Sequence, residues 1–167
     1  AHEELRQPVP DSLKARLVSS EKLAVGWIET RTQKEMELFK DLVKITHDII
    51  DETFSEKVIV PGVTTTDDIV WWMRQKVTDL GLETWFHPTV DIQRTDEALK
   101  SHIYSFTRRE KEQVIQKGDL LHCDFGITYI GLNTDCQQHA YVLHDDETEV
   151  PEFLRIAFKK GNRLQDI

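Results

Sequence analysis

Cysteine is scarce in this sequence: two in 167 residues, Cys123 and Cys136. That is too few for a disulfide framework, and it leaves cytoplasmic and periplasmic settings equally open. No apolar run approaches the ~20 residues of a membrane span, so no membrane partner is expected. Positive charge is outnumbered, with 21 Lys and Arg against 30 Asp and Glu and a net charge of −9. The clustered Lys and Arg of a nucleic-acid surface are missing, and a nucleic-acid partner is not expected either. Internal repeats and low-complexity tracts are absent. So are an initiator methionine and a signal peptide, and Ile167 falls in what reads as the middle of a helix. Both ends therefore read as boundaries of a fragment or of an ordered region. What remains is ordinary in composition, 39% hydrophobic and 31% charged, enough for one domain with a real core.

The informative stretch runs from Gly118 to Leu143, GDLLHCDFGITYIGLNTDCQQHAYVL. It reads as two strands folded about a tight turn at Tyr129, Ile130 and Gly131. With Tyr129 placed across from Ile130, Asp124 falls across from Asp135, and Cys123 across from Cys136. Cross-strand neighbours have Cβ atoms roughly 5 Å apart, so the two carboxylates would share one spot. His122, Gly126, Asn133, Gln137 and His139 take the same face by parity, while Leu121, Cys123 and Phe125 take the other. Two unpaired carboxylates so close raise each other's pKa, and a divalent metal neutralises both. Aspartates at a hairpin are otherwise mostly solvated turn residues. For the cysteines the expectation is free thiols in the core, since a bridge across adjacent strands is strained unless the geometry suits it.

The pattern of Gly118-Asp119, then Asp124-Phe125-Gly126, Tyr129-Ile130-Gly131 and Asp135 resembles the pita-bread metallopeptidases. These include methionine aminopeptidases, Xaa-Pro aminopeptidases, prolidases and creatinase. The resemblance implies that Asp124 and Asp135 are ligands of a two-metal centre, one of them bridging both ions. It also implies two divalent ions, Mn, Co, Fe or Zn, and a peptide as substrate. A homodimer is compatible with it.

Along the chain, Ala1 to about Pro10 reads as a loose lead-in, and Asp11 as the cap of a short helix through Leu17. Leu23 to Ile28 reads as a short strand. Thr32 and Glu35 form a capping box, and the three-to-four spacing from Met36 to Phe54 marks an amphipathic helix. His47 lies outside its apolar stripe and is expected to face solvent. Pro61 and Gly62 mark a turn. Thr65 or Thr66 then caps a second helix, with Asp67 and Asp68 in its first turn, and Gly81 closes it. Trp71 and Trp72 are expected to pack in the core. Thr84 to Ile92 reads as a strand that Pro88 confines to an edge or bulge. Arg94 to Lys117 is a long charged connection, and Val150 to Asp166 begins another helix. The paired helices around Pro61-Gly-Val-Thr-Thr65 again resemble the N-terminal half of a pita-bread domain. Residues 1–29 are thus read as lead-in and linker, and 30–167 as part of a pita-bread catalytic domain.

The fold expected is α+β, two long helices on a curved, mostly antiparallel sheet, the N-terminal half of a pita-bread fold. Where the family carries a substrate-orienting histidine, this chain has Thr107 or Phe106. His102 is the nearest candidate for that catalytic role, and His87 the second. Where many relatives follow the second aspartate with Thr-Arg-Thr, this chain has Cys136-Gln137-Gln138-His139, which bears on substrate class more than on metal. The family completes its centre with a histidine and two glutamates from a following half, so this chain alone is expected to be inactive. For the whole protein the resemblance implies a metal-dependent aminopeptidase or dipeptidase of the Xaa-Pro type. The alternative is a non-catalytic pita-bread module that binds peptides or protein partners. A glycosidase fails on geometry, because retaining enzymes hold carboxyls about 5 Å apart on opposite sides of a sugar.

Overall fold

The computed structural model describes residues 10–94 and 113–166. The lead-in before Pro10, most of the charged connection and His102 lie outside the described residues. The chain divides into two compact units, Ala1–Met36 and Glu37–Ile167.

The first unit holds two helices, α1 (Asp11–Lys14) and α2 (Glu21–Glu29), neither with a buried residue. The expectation of a strand at Leu23 to Ile28 is corrected by α2. There the Ala24 amide donates to the Ser20 carbonyl at 3.0 Å and the Thr30 amide to that of Gly26 at 3.2 Å. A short apolar run carries too little periodicity to tell helix from strand. The described residues of this unit include no strand, and a helix satisfies its backbone groups internally. Asp11 is not a cap. Pro10 occupies that position, and Asp11 lies in the first turn, 2.6 Å from Lys14.

Helix α3 (Gln33–Thr53) opens on the expected box: the Glu35 amide donates to Thr32 Oγ1 at 3.2 Å, and the Thr32 amide to the Glu35 carboxylate at 2.6 Å. The Thr32 amide, and then the Thr32 hydroxyl, hold the Glu35 carboxyl below its ordinary pKa. Helix α4 (Thr66–Asp79) repeats the device with Thr65 and Asp68, at 3.0 and 2.9 Å. Local reciprocity of this kind needs no tertiary help, which is why both starts are legible. α3 buries Leu42, Thr46, Ile49, Ile50 and Thr53, and α4 buries Ile69, Val70, Met73 and Val77. His47 is half-buried, not solvent-facing. Trp72 packs against the core as expected, but Trp71 is 62% exposed. Its ring lies 5.2 Å below the Arg74 guanidinium and meets His87 edge-on, so it forms a surface cation–π cluster.

Strands β1 (Thr89–Gln93), β2 (Leu120–Phe125) and β5 (Cys136–Tyr141) form an antiparallel sheet in the order β1-β2-β5. Only the last part of the expected Thr84–Ile92 strand is extended, and it does lie at an edge, just after Pro88. Two short strands, β3 (Thr128–Tyr129) and β4 (Leu132–Asn133), close the hairpin. Val90, Leu121, Cys123 and Phe125 are fully buried in one cluster with the apolar faces of α3 and α4. The final helix, α5 (Glu152–Gln165), has no buried residue. No described helix is long and apolar enough to cross a membrane.

The buried carboxylate of Asp119 opens β2. Arg94 holds it through Nε at 2.6 Å and Nη2 at 2.8 Å, and the Gln116 amide donates at 2.7 Å. A charge so fully removed from water persists only when paired and hydrogen-bonded in this way.

The hairpin register differs from the expected one by two residues. Tyr129 pairs with Leu132, Asp124 with Gln137 and Cys123 with Gln138. A chain cannot reverse with adjacent residues facing each other; it needs a two-residue loop, here Ile130 and Gly131 at φ 44° and 81°. The cysteines are therefore not opposite neighbours. They remain free thiols, and burial pushes the Cys123 thiol up to about 12. Ile130 is β-branched, 69% exposed and left-handed, a conformation that costs a non-glycine residue roughly 1–2 kcal/mol. Ile130→Asn should therefore stabilise the chain by about 1 kcal/mol, since Asn-Gly suits such turns. Urea unfolding checks this, and an unchanged or lowered midpoint would contradict the turn assignment.

Candidate metal centre

A slip of two residues preserves side-chain parity, so the faces remain those expected from the sequence. On β2, Leu121, Cys123 and Phe125 are buried while His122 and Asp124 look to the opposite face. Carried on past Phe125↔Cys136, the register sets Gly126, not Asp124, across from Asp135. The two aspartates are thus diagonal rather than direct neighbours. Their side chains still meet, and Asp135 raises the Asp124 pKa both by its charge and by its contact.

Polar side chains continue the face across all three strands. Asp91 of β1 pairs with His122 of β2, which pairs with His139 of β5. His122 Nδ1 is 4.0 Å from the Asp91 carboxylate, and the His122 and His139 rings lie 5.0 Å apart. Burial, and then the neighbouring His122, lower the His139 pKa. Gln137 joins this row to the aspartates. Its Nε2 donates to Asp124 Oδ2 at 3.3 Å, and its Oε1 lies 3.1 Å from His122 Nε2. With the amide so oriented, Oε1 accepts the proton of His122 Nε2. The three residues Asp91, His122 and Gln137 were not all foreseen. The strand alternation flags His122 and Gln137, but Asp91 enters only through the β1–β2 pairing.

Asp124 Oδ1 is buried and has no hydrogen-bond donor among the described residues. A buried carboxylate oxygen without a donor, beside a second carboxylate, is the donor chemistry of a divalent cation. Asp124 and Asp135 therefore fit a shared metal. Among the described residues, no group of three or more His, Cys, Asp or Glu is placed to hold an ion. The second histidine candidate, His87, is engaged elsewhere: its Nδ1 lies 2.8 Å from Arg74 Nη1.

Burial, first, and the Asp135 charge, second, raise the Asp124 pKa above the ordinary carboxylate value. Between the unfolded and folded values the native state binds the extra proton, so stability falls as pH rises through that window. Below the unfolded value of about 3.9 the penalty is absent. In a chelator, Asp124→Asn should therefore melt higher than the parent at neutral pH, with the gap closing near pH 3. Melting curves at the two pH values check this, and a variant less stable at neutral pH would refute the repulsion.

The family model of metallopeptidase family M24 matches residues 37–163. Among solved structures, an X-Pro aminopeptidase from Thermotoga maritima MSB8 superposes with a TM-score of 0.61 at 19% identity, covering 89% of this chain and 41% of that one. A recombinant prolidase from Thermococcus sibiricus gives 0.52 at 18% identity, covering 76% of this chain and 33% of that one. At such identities the likeness is one of fold, and the chain spans less than half the length of either protein. No curated protein matches the sequence.

Proposed function

Because the chain belongs to metallopeptidase family M24, we propose that its hairpin supplies two carboxylate ligands to the metal centre of an Xaa-Pro-type aminopeptidase or dipeptidase. The observation that carries the proposal is the Asp124–Asp135 contact, with Asp124 Oδ1 buried and reached by no donor among the described residues. Bound there, one or two divalent ions of the Mn, Co, Fe or Zn type would supply Lewis-acid polarisation of a scissile carbonyl and of water. The chain's own residues hold that site in shape. Gln137 occupies Asp124 Oδ2 and leaves Oδ1 for the cation. The row of Asp91, His122 and His139 extends the polar face on which a peptide would lie. His102 is assigned the substrate-orienting role as part of the same proposal.

Asp124 and Asp135 alone are too few donors for a tight first-row site, which takes four to six. The 167-residue chain is therefore expected to be silent toward Xaa-Pro dipeptides with added Mn or Co. In the protein at its natural length, Asp124→Asn and Asp135→Asn should each cost on the order of 10²-fold or more in turnover, the scale of lost transition-state electrostatics. Dipeptide hydrolysis by both lengths and both variants checks this. Turnover by the 167-residue chain that both variants abolish would show it builds a working centre by itself. Metal binding without hydrolysis at natural length would favour the non-catalytic peptide-binding module.

A further inference from the structure

Thr134 immediately precedes Asp135, and its polar groups are taken up by separate parts of the fold. Its amide donates to the Ile127 carbonyl at 2.9 Å, and its hydroxyl accepts the Ile127 amide at 3.0 Å. The same hydroxyl lies 2.8 Å from the hydroxyl of Thr46, in the middle of α3. Its carbonyl accepts the indole N–H of Trp85 at 2.7 Å. Thr46 in turn donates to the Leu42 carbonyl at 2.8 Å, which makes its oxygen the acceptor and Thr134 the donor in the bond between them. Both threonines are buried, at 0% and 1% exposure.

Gly126 completes the arrangement. A Cβ there would overlap the Thr134 carbonyl oxygen and sit 2.6 Å from Trp85 Nε1 and 2.8 Å from the Phe86 ring. Glycine at this position is therefore required by the close approach of the Trp85–Thr134 bond to the strand. The ladder is interrupted here, between Phe125↔Cys136 and Thr128↔Asn133. One backbone rung survives, from the Thr134 amide to the Ile127 carbonyl. Its reciprocal is taken over by side chains, since the Ile127 amide goes to the Thr134 hydroxyl and the Thr134 carbonyl to the Trp85 indole, one residue before Asp135.

We infer that Thr46 and Trp85 are positioning residues for Asp135: acting through Thr134, they fix the second carboxylate against Asp124. The inference rests on the reading of Asp124 and Asp135 as metal ligands, and it adds two residues from outside the hairpin. Partners behind a ligand commonly matter to metal affinity by a factor of 10–100. A side chain that merely filled the core would change stability alone.

The test uses the 167-residue chain with Mn(II) as probe, followed by paramagnetic broadening of backbone amides. Thr46→Val and Trp85→Phe should weaken the Mn(II) broadening at Asp124 and Asp135, with the dissociation constant rising about tenfold. Thr46→Ser, which keeps the hydroxyl, should restore parental binding. Val77→Ala, a core truncation on α4, controls for stability and should lower the melting temperature without moving the constant. Backbone order parameters of metal-free Asp135 supply a second reading, expected to fall in Thr46→Val and Trp85→Phe but not in the other two. If the parent shows no broadening at Asp124 and Asp135, the metal reading of this chain fails, and the order parameters alone then decide the positioning role. Order parameters of Asp135 equal to the parent's in both variants, or Mn(II) constants that track the Val77→Ala control, would overturn the inference.

Discussion

The two-residue period of β2 is the constraint on which this structure depends. β2 is the middle strand of its sheet, paired on both sides, so its register fixes β1 and β5 together. Leu121, Cys123 and Phe125 are fully buried on one face. Burial at roughly 25 cal/mol per Å² holds those three positions firmly inward. His122 and Asp124 must then project to the other face, whatever that face costs. A slip of one residue would bury Asp124 in the helical layer and expose Phe125, which no other feature could offset.

That coupling explains why much of the site was legible in the sequence while its geometry was not. Alternation assigns faces, and a two-residue error in register leaves every face unchanged, so Asp124 and Asp135 were placed together despite a wrong pairing. The exact opposition depends on the loop, and Ile130 gives little sign that it accepts a left-handed backbone. The capping box at Thr32 was legible because both partners lie within four residues. At the second helix the sequence left the cap between Thr65 and Thr66, and the box with Asp68 shows that it is Thr65. Leu23 to Ile28 was not, since an apolar run without a period is decided by what lies beside it. Asp91, Thr46 and Trp85 reach the hairpin through pairings 31 to 88 residues apart in sequence, which no local pattern encodes.

The aspartates of this region show how one residue type is turned to two ends. Asp119 is wholly buried, yet it is matched by two bonds from Arg94 and one from the Gln116 amide. Nothing is left on it for a ligand to satisfy, and its task is to hold the start of β2. Asp124, five residues on, receives an amide from Gln137 where Asp119 receives a guanidinium. Among the described residues no Lys or Arg pairs with it, and burial and the Asp135 charge raise its pKa.

A cation beside Asp124 would be the cheaper arrangement for folding alone, since opposite charge favours the ionised form. It would also compete with any metal for the same oxygen. Near the pair and around Thr134 the structure places neutral groups: the Gln137 amide, the Thr46 and Thr134 hydroxyls and the Trp85 indole. The Gln137 amide bonds the Asp124 carboxylate itself, while the two hydroxyls bond each other and the indole bonds the carbonyl of Thr134, the residue before Asp135; none of them carries a charge. The repulsion between Asp124 and Asp135, which His122 and Gln137 offset only in part, is thus a cost in stability that the α3–α4–sheet core carries. Marginal overall stability makes even a small cost of this kind significant.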